Sequence, residues 1–418
     1  MKKYTKAIEK WSLTECHACL KYLKFIVIEN GGCLFLNNNL WLYEITCSLR
    51  GGLIMNFNIV KRSILICILA VFVLAALFAG GCAQPETTSP RANGEVGEPA
   101  AQEYEPVELN MCHFMPPMHP LHTNVLVPFA EEVAEKTQDR VKIFVYAANE
   151  LAAADKNYDA TLSGVIDIGL TLPAYTPGMF PLTTILEFPF MFTSPLQSNL
   201  AAWELFTENP VVRDTEYKDV EVLWWGTTDL GHFLMKKPVK TVEDLHGKKV
   251  RSPSTIGNDV LAALEAVPVS LPVSDTYDAI ERAIVDGTML PISTLISFNL
   301  SDVVDHVLVM NMYATPLHMV VNKTSWGKIS PEDQSAIKEL LEAFPKEIGE
   351  QYVAEDQAGY GRAEEKGIAI DNPSPEELQK FHDAMDPLVE QWIEEYEAKG
   401  IPAREVYEQL KIIAEKYE

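Results

Sequence analysis

From about residue 106 onward, apolar positions switch between two periods. Val107-Glu108-Leu109-Asn110-Met111 runs apolar, polar, apolar, which predicts a strand with one buried face. The period then lengthens: Phe129, Val133 and Ala134 share one side of a predicted helix, with Pro128 near its start, where a missing N–H does no harm. Val141–Val145 and Ile166–Leu170 predict further strands, and Val222–Trp225 is another apolar run. Thr241-Val242-Glu243-Asp244 has the form of a capping box opening a short helix that Gly247 ends. Lys248 to Arg251 then reads as a strand, and Asp275 to Ile284 as a helix with Ser274 as N-cap, stopped by Asp286-Gly287. The last hundred residues or so read as mostly helical. Ser330-Pro331 and Ser374-Pro375 supply N-caps there, and Ile337, Leu340, Leu341 and Phe344 form an apolar stripe. Alternating strands and helices predict an α/β fold, and roughly 310 residues suffice for two lobes with separate cores.

The chain before residue 106 follows a different pattern. Lys61 and Arg62 precede an uncharged apolar stretch, Ile64 to Gly81, which ends in Ala79-Gly80-Gly81 just before Cys82. Basic residues, an apolar run and small residues at a cleavage point are the order of a secretory signal. The cysteine after them reads as a lipobox, predicting acylation of Cys82 and a lipid-anchored N-terminus. Residues 55–81 are then a lipoprotein signal peptide. Residues 82–105, rich in Pro, Gly, Ser and Glu, are a flexible tether that cannot bury a core. A signal does not normally begin behind a long hydrophilic segment, so residues 1–54 read as a mis-called extension, with Met55 as the start. Arg50-Gly51-Gly52 back-translates to a purine-rich stretch resembling a ribosome-binding site. Cys16-His17-Ala18-Cys19 in that extension has no second ligand pair at zinc spacing.

Removing residues 1–82 alters the charge and cysteine counts. The remaining 25 basic and 55 acidic residues give a formal charge of −30, which repels nucleic acid. Only Cys112 remains beside Cys82, so no disulfide framework is expected. No G-x-S-x-G, P-loop, H-E-x-x-H or G-x-G-x-x-G motif occurs, which argues for binding rather than catalysis and against a cofactor. His113, His119 and His122 cluster near one strand end without a Cys or carboxylate at ligand spacing, and read as loop-lining residues.

Several longer runs occur in a characteristic order. They are Pro116-Pro117-Met118-His119-Pro120-Leu121-His122, Leu162-Ser163-Gly164-Val165-Ile166-Asp167-Ile168-Gly169 and Phe188-Pro189-Phe190-Met191-Phe192. Beyond them come Glu243-Asp244-Leu245-His246-Gly247-Lys248-Lys249-Val250-Arg251, then Pro268 to Pro272, Asp275 to Ala279 and Val285-Asp286-Gly287. From Val107 to Glu418 the chain resembles the solute receptors of tripartite ATP-independent periplasmic (TRAP) transporters, of the dicarboxylate-binding type. The resemblance implies two α/β lobes closing over a ligand cleft, with a helical C-terminal region. Lobe I would take 106–228 and part of 318–418, and lobe II 229–317 and part of the C-terminal helices.

The resemblance also implies that Arg251 grips a ligand carboxylate with two prongs, chemistry that suits a guanidinium. Thr288-Met289-Leu290-Pro291 follows Asp286-Gly287 where acid-binding relatives have Gln-Glu-Asn-Pro, so Leu290 replaces a polar contact. Apolar Phe233 lies near the place of a second arginine of sialic-acid binders. Tyr175, Phe190, Trp224 and Phe298 are available to line the pocket, together with His119 and Thr288. The expected ligand is a monocarboxylate with an apolar or aromatic body. The expected partners are TRAP permease subunits and, through Cys82, a membrane; the expected location is extracytoplasmic. Rival readings are the binding lipoprotein of an ATP-driven transporter, a ligand-binding partner of a sensor kinase, and a periplasmic enzyme.

Overall fold

The computed structural model describes residues 104–418, together with two short strands, Ile26–Ile28 and Gly32–Leu34, which pair antiparallel with each other. The rest of the expected extension, the signal segment, Cys82 and the tether as far as residue 103 lie outside the described residues.

In the part from residue 104, ten strands make one continuous sheet. They are β1 (Val107–His113), β2 (Val141–Tyr146), β3 (Ile168–Thr171), β4 (Val220–Met235), β5 (Lys249–Ser252), β6 (Val267–Ser270), β7 (Gly287–Pro291), β8 (His306–Leu308), β9 (Ala314–Asn322) and β10 (Ala369–Asp371). The order is β2-β1-β3-β9-β4-β7-β5-β6, with β8 joining β4 and β10 joining β8. β4 pairs with β9 from Val220 to Leu230, then with β7 from Gly231 to Met235. Its pairing partner therefore changes at Leu230-Gly231. Pro316, which has no N–H to give, sits where the β9 register slips.

Trp224 and Trp225 are both fully buried neighbours on β4, and they join different apolar clusters. Trp224 packs with the cluster of Leu109, Leu170, Leu290 and Tyr352, and Trp225 with that of Leu205, Phe233, Met289 and Phe381. Each cluster draws on residues from both sides of the change of partner at Leu230-Gly231. Along β4 the Trp224–Trp225 and Phe233–Leu234 pairs each split between the two clusters, while two register shifts against β9 interrupt the strict alternation between them.

Among the helices that cover the faces are α1 (Val127–Lys136), α2 (Pro195–Glu208), α3 (Thr255–Ala263), α4 (Phe344–Lys366), α5 (Pro375–Ala398) and α6 (Ala403–Lys416). α1 buries Phe129, Ala130 and Val133, leaving Ala134 half-buried at the edge of the stripe. The Thr241 box forms as read. The Thr241 hydroxyl accepts from Asp244 N–H at 3.2 Å, and the Asp244 carboxylate accepts from Thr241 N–H at 3.1 Å. Ser330 and Ser374 cap their helices by accepting from Asp333 and Glu377. Ser274 does not cap: a 3-10 turn, Val273–Asp275, precedes the helix Thr276–Glu281, and the Ser274 hydroxyl reaches only the Asp275 carboxylate. β3 starts two residues later than read, because Asp167 turns aside to accept from Asn110 N–H and the Ser325 hydroxyl.

α4 bears on the site through two close approaches. A Cβ at Gly349 would stand 2.8 Å from Leu196 Cα, and one at Gly359 would stand 2.6 Å from the Ile292 carbonyl oxygen. Only glycine lets α4 lie so close to α2 and to the loop after β7.

Candidate functional site

β1 runs parallel to β2 and β3, and β5 runs parallel to β6 and β7. Segments leaving the carboxyl ends of these strands converge, as open α/β sheets place their ligand crevices. Phe114 and Met115 follow β1, Leu172 and Tyr175 follow β3, and Val273 follows β6. With Arg251 and Pro253 of the β5 end and Leu290 and Pro291 of β7, they enclose a narrow cleft. α4 closes it from one side with Tyr352.

Arg251 dominates the chemistry of this space. On β5, Val250 joins the far apolar cluster and Arg251 takes the opposite face, the one that opens into the cleft. The side chain is 0% exposed. Its Nε donates to the Leu271 carbonyl at 2.9 Å, which fixes the plane of the fork, while both terminal nitrogens have no partner. A buried guanidinium with its two outer nitrogens unmet is costly unless an anion fills the gap. Glu187, 2% exposed, stands near it, but burial pushes this carboxyl up to about 8, so it is no counter-ion at neutral pH.

Tyr175 joins the two lobes: its hydroxyl accepts from Val273 N–H at 3.0 Å. The hydroxyl proton stays free to donate, and burial holds its pKa above the usual tyrosine value. The buried His119 Nδ1 accepts from Leu121 N–H at 3.2 Å, which puts the proton of the neutral ring on Nε2. Burial, and then His122, bring its pKa down to about 4. Its ring meets Phe298 edge-on at 6.0 Å. His113 and His122 pair with each other at 2.9 Å and do not line the cleft.

Arg251, Tyr175, His119, Leu290 and Phe298 are thus brought together. Four other expected lining residues are not. Trp224 and Phe233 are fully buried in the two apolar clusters, Phe233 against Phe381 at 6.2 Å. Phe190 adopts φ +57° and stacks on His382 at 3.9 Å, away from the cleft. Thr288 is level with Arg251 on the next strand, buried with an unpartnered hydroxyl, and does not line the space. In each case packing within the sheet or against α5 claims the side chain.

The residue-by-residue reading misses Asp229, a cleft-lining carboxyl in the middle of β4. It is 3% exposed, and burial followed by the nearby Asp356 raises its pKa well above the usual carboxylate range. Asp356 is itself pushed up to about 6 and Glu355 to about 8, chiefly by burial. One signal was available: a lone acidic residue between Thr228 and Leu230, midway along a long strand whose flanks are apolar.

Comparison with known proteins places this geometry among transport receptors. The family DctP (bacterial extracellular solute-binding protein, family 7) matches residues 111–395. The outer membrane transporter protein TsaT of Comamonas testosteroni is 24% identical over 314 residues, covering 73% of this chain and 91% of TsaT. A TRAP solute-binding protein of Rhodoferax ferrireducens T118, solved with copurified benzoate, is 27% identical with a TM-score of 0.70, over 74% of this chain and 98% of its own. A marine-metagenome TRAP solute-binding protein specific for aromatic acid ligands, solved with 3-hydroxybenzoate, is 26% identical with a TM-score of 0.71, over 75% and 99%.

Proposed function

The chain belongs to the bacterial extracellular solute-binding proteins of family 7, the receptors of TRAP transporters, and on that premise we propose that it captures an organic monocarboxylate with an apolar or aromatic body. The carboxylate sits on Arg251 in the interlobe cleft, and the loaded receptor delivers it to a membrane permease. One observation carries this reading: Arg251 is fully buried in the cleft wall with both terminal nitrogens unpartnered. A carboxylate supplies two coplanar acceptors and the missing negative charge. Phe114, Met115, Leu172, Leu290 and Phe298 make the rest of the wall largely apolar. The benzoate and 3-hydroxybenzoate bound by the two solved relatives support an aromatic acid.

Thermal unfolding with benzoate, 3-hydroxybenzoate and their amides tests the proposal. At a hundred times Kd, a ligand adds about 2.7 kcal/mol to stability, which raises Tm by several degrees. The acids should produce that rise and the amides should not. Amides that stabilise equally, or a panel of acids with no effect, would overturn it.

The same reading begins the mature chain at an acylated Cys82, held to a membrane surface by residues 82–105, with Met55 as the start. Mass spectrometry of the membrane-bound protein should show a diacylglyceryl modification on the Cys82 peptide. An unmodified Cys82, or any peptide from residues 2–50, counts against it.

A further inference from the structure

Asp229 lies on β4 just before the strand changes partner, and lines the same cleft as Arg251. Its side chain is 3% exposed, and Oδ2 has no hydrogen-bond partner. The charged groups that act on it, Asp356 and Glu355 of α4, are both acidic, and Ser293 approaches from the loop after β7. Gly359 holds α4 against that loop, so the group is fixed by backbone packing. Such a carboxyl belongs to no ion pair and to no capping arrangement of the fold. It is built into the wall of a binding space with an acceptor left over.

The charge pattern decides which partner it can take. Buried carboxyls side by side do not both ionise; they share a proton. The structure gives Asp229 Oδ2 no donor, so this oxygen is open to accept. A ligand ether or second carboxylate there would set lone pair against lone pair, whereas a hydroxyl or amino group would satisfy it. The register gives the scale. Arg251 is level with Thr288, and Thr288 with Leu234, so Asp229 lies five residues back along β4. That is roughly 16 Å of strand, more than an arginine side chain spans alone, and leaves room for a ring between the two groups.

We propose that Asp229 is the second polar pole of the pocket, accepting a hydrogen bond from a hydroxyl or amino group at the end of the ligand away from its carboxylate. The inference rests on Arg251 as the carboxylate holder. It narrows the ligand to an acid that bears a hydrogen-bond donor, in preference to the unsubstituted acid.

Calorimetry on the purified protein with benzoate, the 3- and 4-hydroxybenzoates, 3-aminobenzoate and 3-methoxybenzoate tests this. The best donor-bearing acid should bind about ten- to a hundredfold more tightly than benzoate, and the methoxy compound should not. Asp229→Ala should bring hydroxybenzoate and benzoate to the same Kd while benzoate binding persists. A preference that survives Asp229→Ala overturns the assignment. Should that variant not fold, the wild-type ratio decides alone, and equal binding of the hydroxy and methoxy acids overturns it. Arg251→Met separates the two claims. If it keeps benzoate binding, the carboxylate reading falls; if it loses benzoate and the donor preference is absent, only the Asp229 role falls. No binding by any acid of the panel overturns both.

Discussion

Replacing Arg251 with methionine should move two measurements in opposite directions. With ligand, the wild-type fork gains two charge-assisted hydrogen bonds, each contributing about 1.5–3 kcal/mol. Truncating one side of a buried charge pair costs about 2–5 kcal/mol, so Kd should rise roughly thirty- to several thousandfold. Without ligand the same side chain is a fully buried cation whose outer nitrogens are unmet. Exchanging such a charge for an apolar side chain of similar volume is neutral to stabilising by about 1–4 kcal/mol. Loss of the bond from Nε to the Leu271 carbonyl offsets about 1 kcal/mol of that. The variant should therefore bind far more weakly yet unfold at the same or a higher denaturant concentration. Arg251→Lys, which keeps the charge but not the fork, should fall between in affinity. Calorimetric titration and urea unfolding of the same preparations read both quantities. A methionine variant that binds acids within threefold of wild type, or loses several kcal/mol when empty, would refute the reasoning by making Arg251 a structural strut.

Tyr175→Phe removes the acceptor for Val273 N–H that links the lobes. Ligand release should quicken about fivefold, equivalent to about 1 kcal/mol, as read by stopped-flow displacement; an unchanged rate would show that the contact does not hold the cleft shut. Stability should also fall as pH rises above 6.5. Burial holds His113, His119, His232 and His318 down to about 3 to 4. Their contribution is fully present above the unfolded value of 6.5 and is lost only as pH falls. Glu187 and Glu355, pushed up to about 8 by burial, keep protons that the unfolded chain has released, so their contribution is lost as pH rises through 8. Between pH 6.5 and 9 each loses about 2 kcal/mol. Glu355→Gln should shrink the fall in unfolding free energy by that amount, and an identical fall in variant and wild type would exclude Glu355 as its source.

What the chain discloses in one dimension depends on how far apart the interacting groups are. The Thr241–Asp244 box and the Ser330 and Ser374 caps involve residues three apart, and each forms as its spacing predicts. Ser274 has the right residue type too, but Pro272 starts a 3-10 turn that moves the helix start past it. Trp224 and Trp225 look alike in sequence, and only the pleat of β4 sends them to different faces. Phe190 reads as a pocket aromatic, yet a left-handed backbone and His382, far along the chain, turn it away. The run around Arg251 marks it only through a resemblance. The physical fact that makes it a site, two unmet nitrogens in a sealed wall, depends on Leu271 and on loops from both lobes. Asp229 gave a local hint, but Asp356 lies more than a hundred residues away, and no spacing rule joins them.

The β4 strand has an evolutionary corollary. A receptor whose halves each kept a private core could exchange one half with a relative and acquire a new ligand in a single recombination. Here one strand pairs first with β9 and then with β7, and both apolar layers draw on each side of that change. A splice anywhere in Val220–Met235 would cut both layers at once. Neither half is then a transplantable module, and new specificity has to come by point substitution around a rim of loops, with the spine inherited whole.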